Sequence, residues 1–320
     1  MFKQRPAEMN KREEIPTEPS PLLPASSGWP WEEPLSWTAV VPAGRPWPRI
    51  SIVTLSYNQG RFIEDAIRSV LLQGYPNLEY IIIDGGSTDG SVEVIKRYED
   101  KLAYWSSEPD RGPAAALNKG FQVATGEIFG FLNADDLYLP GSLHAIANLF
   151  GVHSSVDVLY GNGYMTDESG RLREAIFSDR WNLWRMAYGS CVLVQPATFF
   201  RRQAFLKTNG FGEEFSSTWD AGLWADLALS GAVFHHTKES LGIFRLHSDS
   251  ITGSGRLRQH FPRDMDAIFQ KIMRRRRRVS DHALGFLLRL LKFSGHPHRT
   301  LGYKLFLHSI GKDNSKPLAK

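Results

Sequence analysis

The sequence predicts an α/β protein with a Rossmann-like, mostly parallel central sheet that is flanked by helices and followed by a helical C-terminal extension. Two observations predict this class. Short apolar runs typical of buried strands alternate with segments whose apolar residues recur at helical spacing, which is the pattern of βαβ units. Two of these runs also end in acidic turns, Asp84 to Gly90 and Asn133 to Asp136, and open α/β sheets bind ligands at the carboxyl ends of their strands.

The predicted elements follow one another regularly between Ile50 and Pro140. The strands span residues 50–55, 80–83, 102–105 and 128–132, and the helices span residues 62–71, 92–98 and 114–124. Beyond Pro140 the pattern loosens, with strands predicted at residues 156–160 and 197–200 and two short strands near Val233 and Ile243. A helix is predicted to begin at or just after Asp220.

Composition and charge divide the chain into three parts. Residues 1–48 form a proline-rich, tryptophan-containing arm that we expect to lie across the main domain, residues 49–255 form that domain, and residues 256–320 form a basic extension. The single cysteine, Cys191, excludes an intrachain disulfide and a cysteine-rich metal site. We find no secretory signal and no apolar stretch of the ~18 residues that span a bilayer. We therefore expect a cytoplasmic protein, either soluble or attached peripherally to the inner face of the membrane.

The two acidic turns indicate a class of function by themselves. Carboxylates gathered at one edge of a sheet are typical ligands of a hard divalent cation, and Mg²⁺ sites commonly include substrate phosphates. The chain is therefore expected to be an enzyme that handles a nucleotide-linked group.

A series of motifs carries a resemblance to a known family. The motifs are Thr54 to Gly60, Tyr75 to Tyr80, Asp84 to Ser91, Ser107 to Gly112, Asn118 to Gly120, Asn133 to Asp136, Gln195 to Phe200, Trp219 to Trp224 and Phe244 to His247. In this order and spacing they closely resemble the family-2 glycosyltransferases over residues 49–252. The resemblance implies a GT-A fold with a nucleotide-binding half (49–140) and an acceptor half (141–255).

The resemblance also implies a donor site in the first half. Backbone groups between Thr54 and Asn58 and the ring of Tyr57 would meet the nucleobase, and Asp84 would accept a hydrogen bond from the base edge. The predicted nucleotide-binding residues are Thr54, Ser56, Tyr57, Asn58, Asp84, Gly86, Asp89, Arg111, Asn118, Lys119, Asn133, Ala134 and Asp135.

Three of these residues have a plain structural alternative. Asp89 is equally well explained as the N-cap of the following helix, with Glu93 supporting its first turn. Arg111 and Lys119 are suited to phosphate or sugar, but each is also explained as an ordinary surface charge.

The second acidic turn implies a metal site for Mg²⁺ or Mn²⁺, which suit carboxylate and water ligands. Asp135 and Asp136 are the predicted ligands, with His247 as a third. Many family members have aspartate where this chain has Asn133, which ligates through its carbonyl or bonds the ribose but adds no charge. The structural alternatives are that the two aspartates cap the helix after Pro140 and that His247 serves only packing.

Asp220 is the predicted general base, because the resemblance places the family's catalytic acidic residue at this position. The structural alternative is that Asp220 is a helix N-cap. The predicted reaction is metal-dependent, inverting transfer of a sugar, most simply from a UDP-sugar, to a hydroxyl of a glycan or lipid-linked acceptor in polysaccharide or glycolipid synthesis. Two rivals remain open: a nucleotidyltransferase that releases pyrophosphate, and a degenerate protein that binds nucleotide sugars without catalysis.

A basic segment at residues 271–293 carries the run Arg274 to Arg278 and then an apolar stripe of Phe286, Leu287, Leu290 and Leu291. Such a segment either lies on an anionic membrane surface or packs against the domain, and the sequence favours neither. Nucleic acid is not an expected partner, because the run has no recognisable fold and no interleaved stacking residues.

Overall fold

The computed structural model describes residue 30, residues 46–255, residue 257 and residues 259–295, with side chains to residue 292. Its strands are β1 (Ile50–Ser56), β2 (Leu78–Asp84), β3 (Tyr104–Ser107), β4 (Ile128–Asn133), β5 (Leu137–Tyr138), β6 (Val158–Thr166), β7 (Leu172–Ile176), β8 (Thr198–Arg201) and β9 (Phe234–Arg245). Its helices are α1 (Ile63–Leu71), α2 (Ser91–Lys96), α3 (Pro113–Val123), α4 (Ser142–Val152), α5 (Leu183–Ala187), α6 (Arg202–Phe205), α7 (Trp219–Leu229), α8 (Ile251–Ser254), α9 (Phe261–Met273) and α10 (Val279–Gly295).

The strands form one sheet in the order β3-β2-β1-β4-β8-β6-β9-β5, with β7 paired to β6. Strands β3, β2, β1 and β4 are parallel, β6 and β9 are parallel, and the remaining pairs are antiparallel. The central strands are apolar along nearly their whole length because helices cover both faces. Leu117 of α3 and Leu223 of α7 belong to the core on one face, and Ile67 of α1 and Ile146 of α4 to the core on the other. The predicted α/β class with a mostly parallel sheet is confirmed.

The strand order places a ligand crevice at β1. The chain runs outward from β1 to β2 and β3 and then returns to the other side of β1 with β4, and such a switch opens a crevice at the carboxyl ends of the strands. In the ladder Ser56 lies beside Asp84 and Leu55 lies beside Asn133. Both acidic turns therefore leave the sheet at one edge.

Three sequence predictions are corrected in detail. The strand expected at residues 102–105 lies at residues 104–107, and the segment between the strands expected at residues 156–160 and 197–200, for which the sequence predicts no element, contains β7 and α5. The two short strands expected near Val233 and Ile243 are one twelve-residue strand, β9. Exposed Lys238 and Glu239 interrupt its apolar pattern, but its ladder with β6 continues past them through shifts of register.

Only part of the N-terminal arm lies within the described residues. The Pro30 carbonyl accepts a hydrogen bond from Arg68 Nε at 3.0 Å, and the Trp47 ring packs edge-on against Tyr75 and His144. Both contacts agree with an arm that lies on the domain, and the three-part division of the chain stays a prediction. Residues 1–29 and 31–45 and the end of the extension, residues 296–320, fall outside the description. Within the described part, no helix combines the length and apolar character needed to cross a bilayer.

Gly120 marks the closest approach of α3 to the sheet. A Cβ atom at this position would overlap Val53 and would lie 3.2 Å from Ile83 Cγ1. We expect Gly120→Ala to lower the free energy of unfolding by about 1–3 kcal/mol, because a well-packed core does not absorb an added methyl group. Gly151→Ala in α4 is the matched control, since a Cβ there would meet nothing within 4 Å, and it should stabilise by about 0.5–1 kcal/mol. Equal urea midpoints for the two variants would contradict this packing.

Candidate active site

A cavity of about 640 Å³ opens at the carboxyl edge of β1 and β4, a volume suited to a small-molecule ligand. Of the predicted site residues, it is lined by Ser56, Tyr57, Asn133, Ala134, Asp135 and Asp220. Its other walls include the turn around Gly85, the loop from Pro109 to Pro113, and residues Ser250, Ile251, Thr252 and Leu257. Residues that are far apart in the sequence, Asp135 after β4 and Asp220 in α7, thus share one cavity.

Asp135 lines the cavity, and its carboxylate contacts the imidazole ring of His247, which is not itself part of the cavity lining. Asp135 Oδ2 lies 3.1 Å from His247 Nε2. The His247 side chain is fully buried, and its ring packs against Phe62 with a centroid separation of 4.4 Å. His247 Nδ1 is buried without a hydrogen-bond partner within the described structure. Packing therefore fixes the ring so that Nε2 faces Asp135.

Both carboxylate oxygens of Asp136 are occupied by hydrogen bonds within the protein. It is buried, with Oδ1 accepting from the Arg245 backbone N–H at 3.0 Å and Oδ2 accepting from Asn133 Nδ2 at 2.9 Å. Burial, and then the neighbouring charge of Asp135, raises the pKa of Asp136 well above its ordinary value. The residue does not line the cavity, so its predicted role as a metal ligand gains no support from this geometry.

Asp220 is the second residue of α7 and lines the same cavity as Asp135. The N-cap of this helix is Thr218 and makes no side-chain cap bond, so the N-cap interpretation of Asp220 does not hold. Its Oδ1 accepts a hydrogen bond from the Ala221 N–H at 2.8 Å. Burial raises the pKa of Asp220 above its ordinary value, which makes the carboxylate a stronger base.

Asp84 is fully enclosed by its own turn. Its Oδ2 accepts from the N–H groups of Gly86 and Ser87 at 3.1 and 2.8 Å and from Ser107 Oγ at 2.7 Å. Its Oδ1 accepts from Ser87 Oγ at 2.5 Å. A nucleobase would compete with these four donors, so the observed contribution of Asp84 is to hold the first acidic turn against β3.

Three further residues that are predicted to contact the nucleotide have structural roles in β1 or in the loops after β1 and β2. Thr54 Oγ1 is buried 3.0 Å from the Tyr80 hydroxyl, beneath the sheet edge. Asn58 adopts a positive φ of 53° and accepts a hydrogen bond from the Thr88 N–H at 2.9 Å. Gly86 has a φ of 82°, which glycine tolerates best. None of the three lines the cavity.

Asp89 joins two loops and does not cap α2. The N-cap of that helix is Gly90. Asp89 Oδ1 accepts from the Ser91 N–H at 3.1 Å, and its Oδ2 accepts from the Gly60 N–H at 2.8 Å. These bonds tie the turn after β1 to the start of α2, outside the cavity lining.

The basic and amide residues before β4 are paired within the protein. Arg111 is 3.0 Å from Glu213, and Lys119 pairs with Glu108. Both pairs are on the surface, where an ion pair contributes about 0–1 kcal/mol and is readily exchanged for a ligand. The amide of Asn118 bonds the backbone N–H and C=O of Phe211 at 2.8 Å each, so it anchors the loop that leads toward α7.

Two buried contacts around the acidic turn have no individual signal in the sequence. Gln195 is the first residue of the motif Gln195 to Phe200, and the sequence predicts no site role for it. Its side chain accepts a hydrogen bond from Asn133 Nδ2 at 3.0 Å and donates one to the Phe131 carbonyl at 3.0 Å. Arg245 pairs with Asp65 of α1 at 2.8 Å. Together they fix Asn133 and the strand end that leads to His247.

The extension contributes directly to the cavity wall. Asp264 of α9 is buried, and its Oδ2 accepts from Ser217 N–H and Oγ at 2.7 and 2.8 Å. Ser217 lines the cavity three residues before Asp220. Because the partners are 47 residues apart, the sequence contains no signal for this contact.

We expect Asp264→Ala to lower the free energy of unfolding by about 1–3 kcal/mol, since it leaves two donors of Ser217 without an acceptor. Asp266→Ala is the control on the same helix. Its carboxylate is exposed and pairs with Arg277 at 3.1 Å, so the change should cost at most about 1 kcal/mol. Chemical unfolding of both variants checks the difference. Similar losses of unfolding free energy would show that the hydrogen bonds of Asp264 to Ser217 do not stabilise the protein.

The side chains at this site fit a divalent cation whose coordination shell is completed by the substrate. Among the described residues no group of three or more His, Cys, Asp or Glu side chains is arranged to hold a metal. Asp135 nevertheless lines the cavity with His247 Nε2 3.1 Å from its carboxylate, and Mg²⁺ is commonly bound through only one or two carboxylates, with water and substrate phosphates filling the other positions. These two residues are therefore the candidates for holding Mg²⁺ or Mn²⁺.

Comparison with known proteins shows which family the chain belongs to. The model of "Glycosyl transferase family 2" matches residues 51–210. The chain belongs to glycosyl transferase family 2. An uncharacterized glycosyltransferase of Rickettsia felis is 31% identical over 227 residues, which cover 67% of this chain and 36% of that protein. The chain thus matches only about a third of this relative's length.

Solved structures confirm the GT-A fold of this family 2 chain. TarS of S. aureus (residues 1–349), solved in complex with UDP-GlcNAc, aligns with a TM-score of 0.58 and 19% identity over 80% of this chain and 75% of that one. The mannosyltransferase PcManGT of Pyrobaculum calidifontis, solved with GDP-Man and Mn²⁺, aligns with a TM-score of 0.53 and 18% identity over 85% of both chains.

Proposed function

We propose that this chain is a metal-dependent, inverting glycosyltransferase that moves a sugar from a nucleotide donor to a hydroxyl group. One observation carries the proposal: Asp135 and Asp220 line the same cavity, at the edge where both acidic turns leave the sheet. The family of the chain supports the reaction class.

The two carboxylates have different tasks in this reaction. Asp220, with its pKa raised by burial, takes the proton of the acceptor hydroxyl as that oxygen attacks the anomeric carbon from the face opposite the leaving diphosphate. Asp135 and His247 would hold the cation, which when bound neutralises charge on the leaving nucleoside diphosphate. Phe62 packs against the His247 ring and holds it in place beside Asp135.

We propose a UDP-sugar as the donor and Mn²⁺ or Mg²⁺ as the cation. The support comes from the similar structures, one solved with UDP-GlcNAc and another with GDP-Man and Mn²⁺. The exposed ring of Tyr57 at the cavity wall gives a nucleobase a surface to stack on. Binding of UDP, GDP and their sugars, measured by calorimetry with and without Mn²⁺, tests this choice. A preference for GDP would refute the proposed uridine nucleotide but not the proposed cation or the transfer reaction.

The identity of the released product separates transfer from the rival reactions. Incubation with UDP-sugars and Mn²⁺ should release UDP slowly to water and faster once an acceptor is supplied. Release of pyrophosphate instead would establish a nucleotidyltransferase. Binding of UDP-sugar with no release of either product would establish a protein that binds nucleotide sugars without catalysis.

We further propose a glycan or a lipid-linked sugar as the acceptor, within polysaccharide or glycolipid synthesis. Besides Asp220 the cavity lining includes the apolar Trp219, Ile251 and Leu257 and the polar Ser217, a combination that suits a sugar ring with one apolar face and polar edges. Screening of short glycans and of lipid-linked sugars with the donor fixed tests both classes of acceptor.

A further inference from the structure

Helix α10 has apolar side chains on two opposite faces, and only one of them packs on the domain. On the inner face Leu284 and Leu288 pack against a small cluster that contains Tyr188 and Phe269. Buried Asp281 accepts a hydrogen bond from the Tyr188 hydroxyl at 3.0 Å on the same face. The inner face therefore accounts for how α10 is attached to the domain.

The outer face of α10 is exposed and apolar. Phe286, Leu287 and Leu290 expose 59%, 50% and 46% of their surface, and their spacing puts them on one side of the helix. Trp184 of α5 is also 42% exposed, and its ring lies 4.7 Å from that of Tyr188, against which α10 packs. A cluster of this kind contributes nothing to the core, and exposed apolar clusters mark interaction sites.

The arginine run before α10 is divided between two tasks. Arg275 donates to Asp281 through both terminal nitrogens of its guanidinium group, Nη1 and Nη2, at 2.6 and 2.8 Å, and Arg277 donates to the Ala187 carbonyl at 2.9 Å. Arg274, Arg276 and Arg278 are exposed, and within the described part of the chain no ion pair to their guanidinium groups is found, although the Arg278 backbone N–H donates to Asp281 at 2.7 Å. Two arginines therefore fix the turn into α10, while the other three present charge to the outside.

The charge of the chain is strongly polarised toward this end. Residues 271–320 contain thirteen Lys or Arg and two Asp, a formal charge of +11, whereas the whole chain carries +4 and residues 1–270 therefore carry −7. Such asymmetry points to a partner of opposite charge. An apolar cluster beside exposed arginines complements acyl chains below a layer of anionic headgroups.

We propose that the outer face of α10, with Trp184 and the exposed arginines, docks on an anionic lipid bilayer. The acyl region receives Phe286, Leu287 and Leu290, the headgroup region receives Trp184, and the arginines lie against phosphate. This attachment does not depend on the proposed transfer reaction, so either proposal can fail without the other.

Co-sedimentation of the full chain with vesicles tests the proposal. The protein should bind vesicles of mixed phosphatidylglycerol and phosphatidylcholine, should not bind phosphatidylcholine alone, and should be released by high salt, which screens the arginines. The double variant Phe286→Glu, Leu290→Glu should bind about tenfold less, because charge on the apolar face opposes insertion.

The matched control is Val152→Glu at the end of α4, where Val152 is 72% exposed and outside the proposed surface. It should bind as the unchanged protein does, and circular dichroism should show every variant folded. Equal binding to neutral vesicles, or unaltered binding by the double variant, would overturn the proposal. A lipid-independent dimer in light scattering that the double variant dissociates, without vesicle binding, would assign the face to a second copy of the chain instead.

Discussion

Asp220→Asn should reduce sugar transfer by about 10²–10⁴-fold, because general-base catalysis by a positioned side chain contributes a factor of that size. The amide fills the same volume and still accepts from the Ala221 N–H, so the cavity should keep its shape. Donor binding, measured by calorimetry with UDP, should be unchanged, because Asp220 is assigned to the acceptor. Turnover equal to that of the unchanged protein would remove Asp220 from the mechanism.

Stability distinguishes this loss from misfolding. Burial raises the folded-state pKa of Asp220, so the folded protein holds this proton more tightly than the unfolded chain does. Ionisation of Asp220 therefore lowers the free energy of unfolding. The loss increases as the pH rises from the pKa of Asp220 in the unfolded chain to its pKa in the folded protein, and it is complete at any pH above both values. Asp220→Asn should consequently unfold at higher urea than the unchanged protein at neutral pH.

A control on the same helix and the pH dependence complete the test. Asp226→Asn removes a carboxylate that pairs with Lys271 at 2.8 Å, outside the cavity lining, and should leave turnover nearly unchanged. Because the base must be ionised, transfer should rise with pH through the raised pKa of Asp220, above the ordinary aspartate value of 3.8. An acid limb centred at or below that value would contradict the assignment.

Asp135→Asn should abolish the response of the protein to Mn²⁺. Loss of one anionic ligand should remove about 3 kcal/mol of charge stabilisation from the leaving diphosphate, or roughly a hundredfold in rate. Electron paramagnetic resonance of Mn²⁺ in the presence of UDP measures the binding itself, independently of turnover. Unaltered Mn²⁺ affinity would show that Asp135 is not a ligand.

Two neighbouring aspartates serve as controls for Asp135. Asp249 is exposed two residues after His247, so Asp249→Asn should change neither metal binding nor stability. Asp136→Ala should instead lower the free energy of unfolding by about 1–3 kcal/mol, since it removes the acceptor for Arg245 N–H and Asn133 Nδ2. If Asp136→Ala abolished Mn²⁺ binding while leaving stability intact, the two aspartates would have exchanged roles.

The strands and helices of the first half could be predicted because their signals are local. Apolar runs such as Tyr80 to Ile83 are long enough for a strand buried on both faces, and helical periodicity is continuous from Phe62 to Leu71. The signal failed in β9, where exposed Lys238 and Glu239 divide a strand whose pairing is set by β6. Periodicity indicates which side chains of a segment face the core. The length over which a strand pairs depends also on the adjacent strand, which lies elsewhere in the sequence.

The sequence by itself determined the order of the βαβ units, the two acidic turns and the family, because each depends on residues close together in the chain. Only the tertiary structure decided which carboxylates face the cavity: Asp135 and Asp220 do, while Asp84 and Asp136 are enclosed by hydrogen bonds. The structure also decided that α10 packs through one apolar face and exposes the other. The physical reason is that side-chain direction and hydrogen-bond partners depend on contacts between residues distant in sequence, which composition and spacing do not encode.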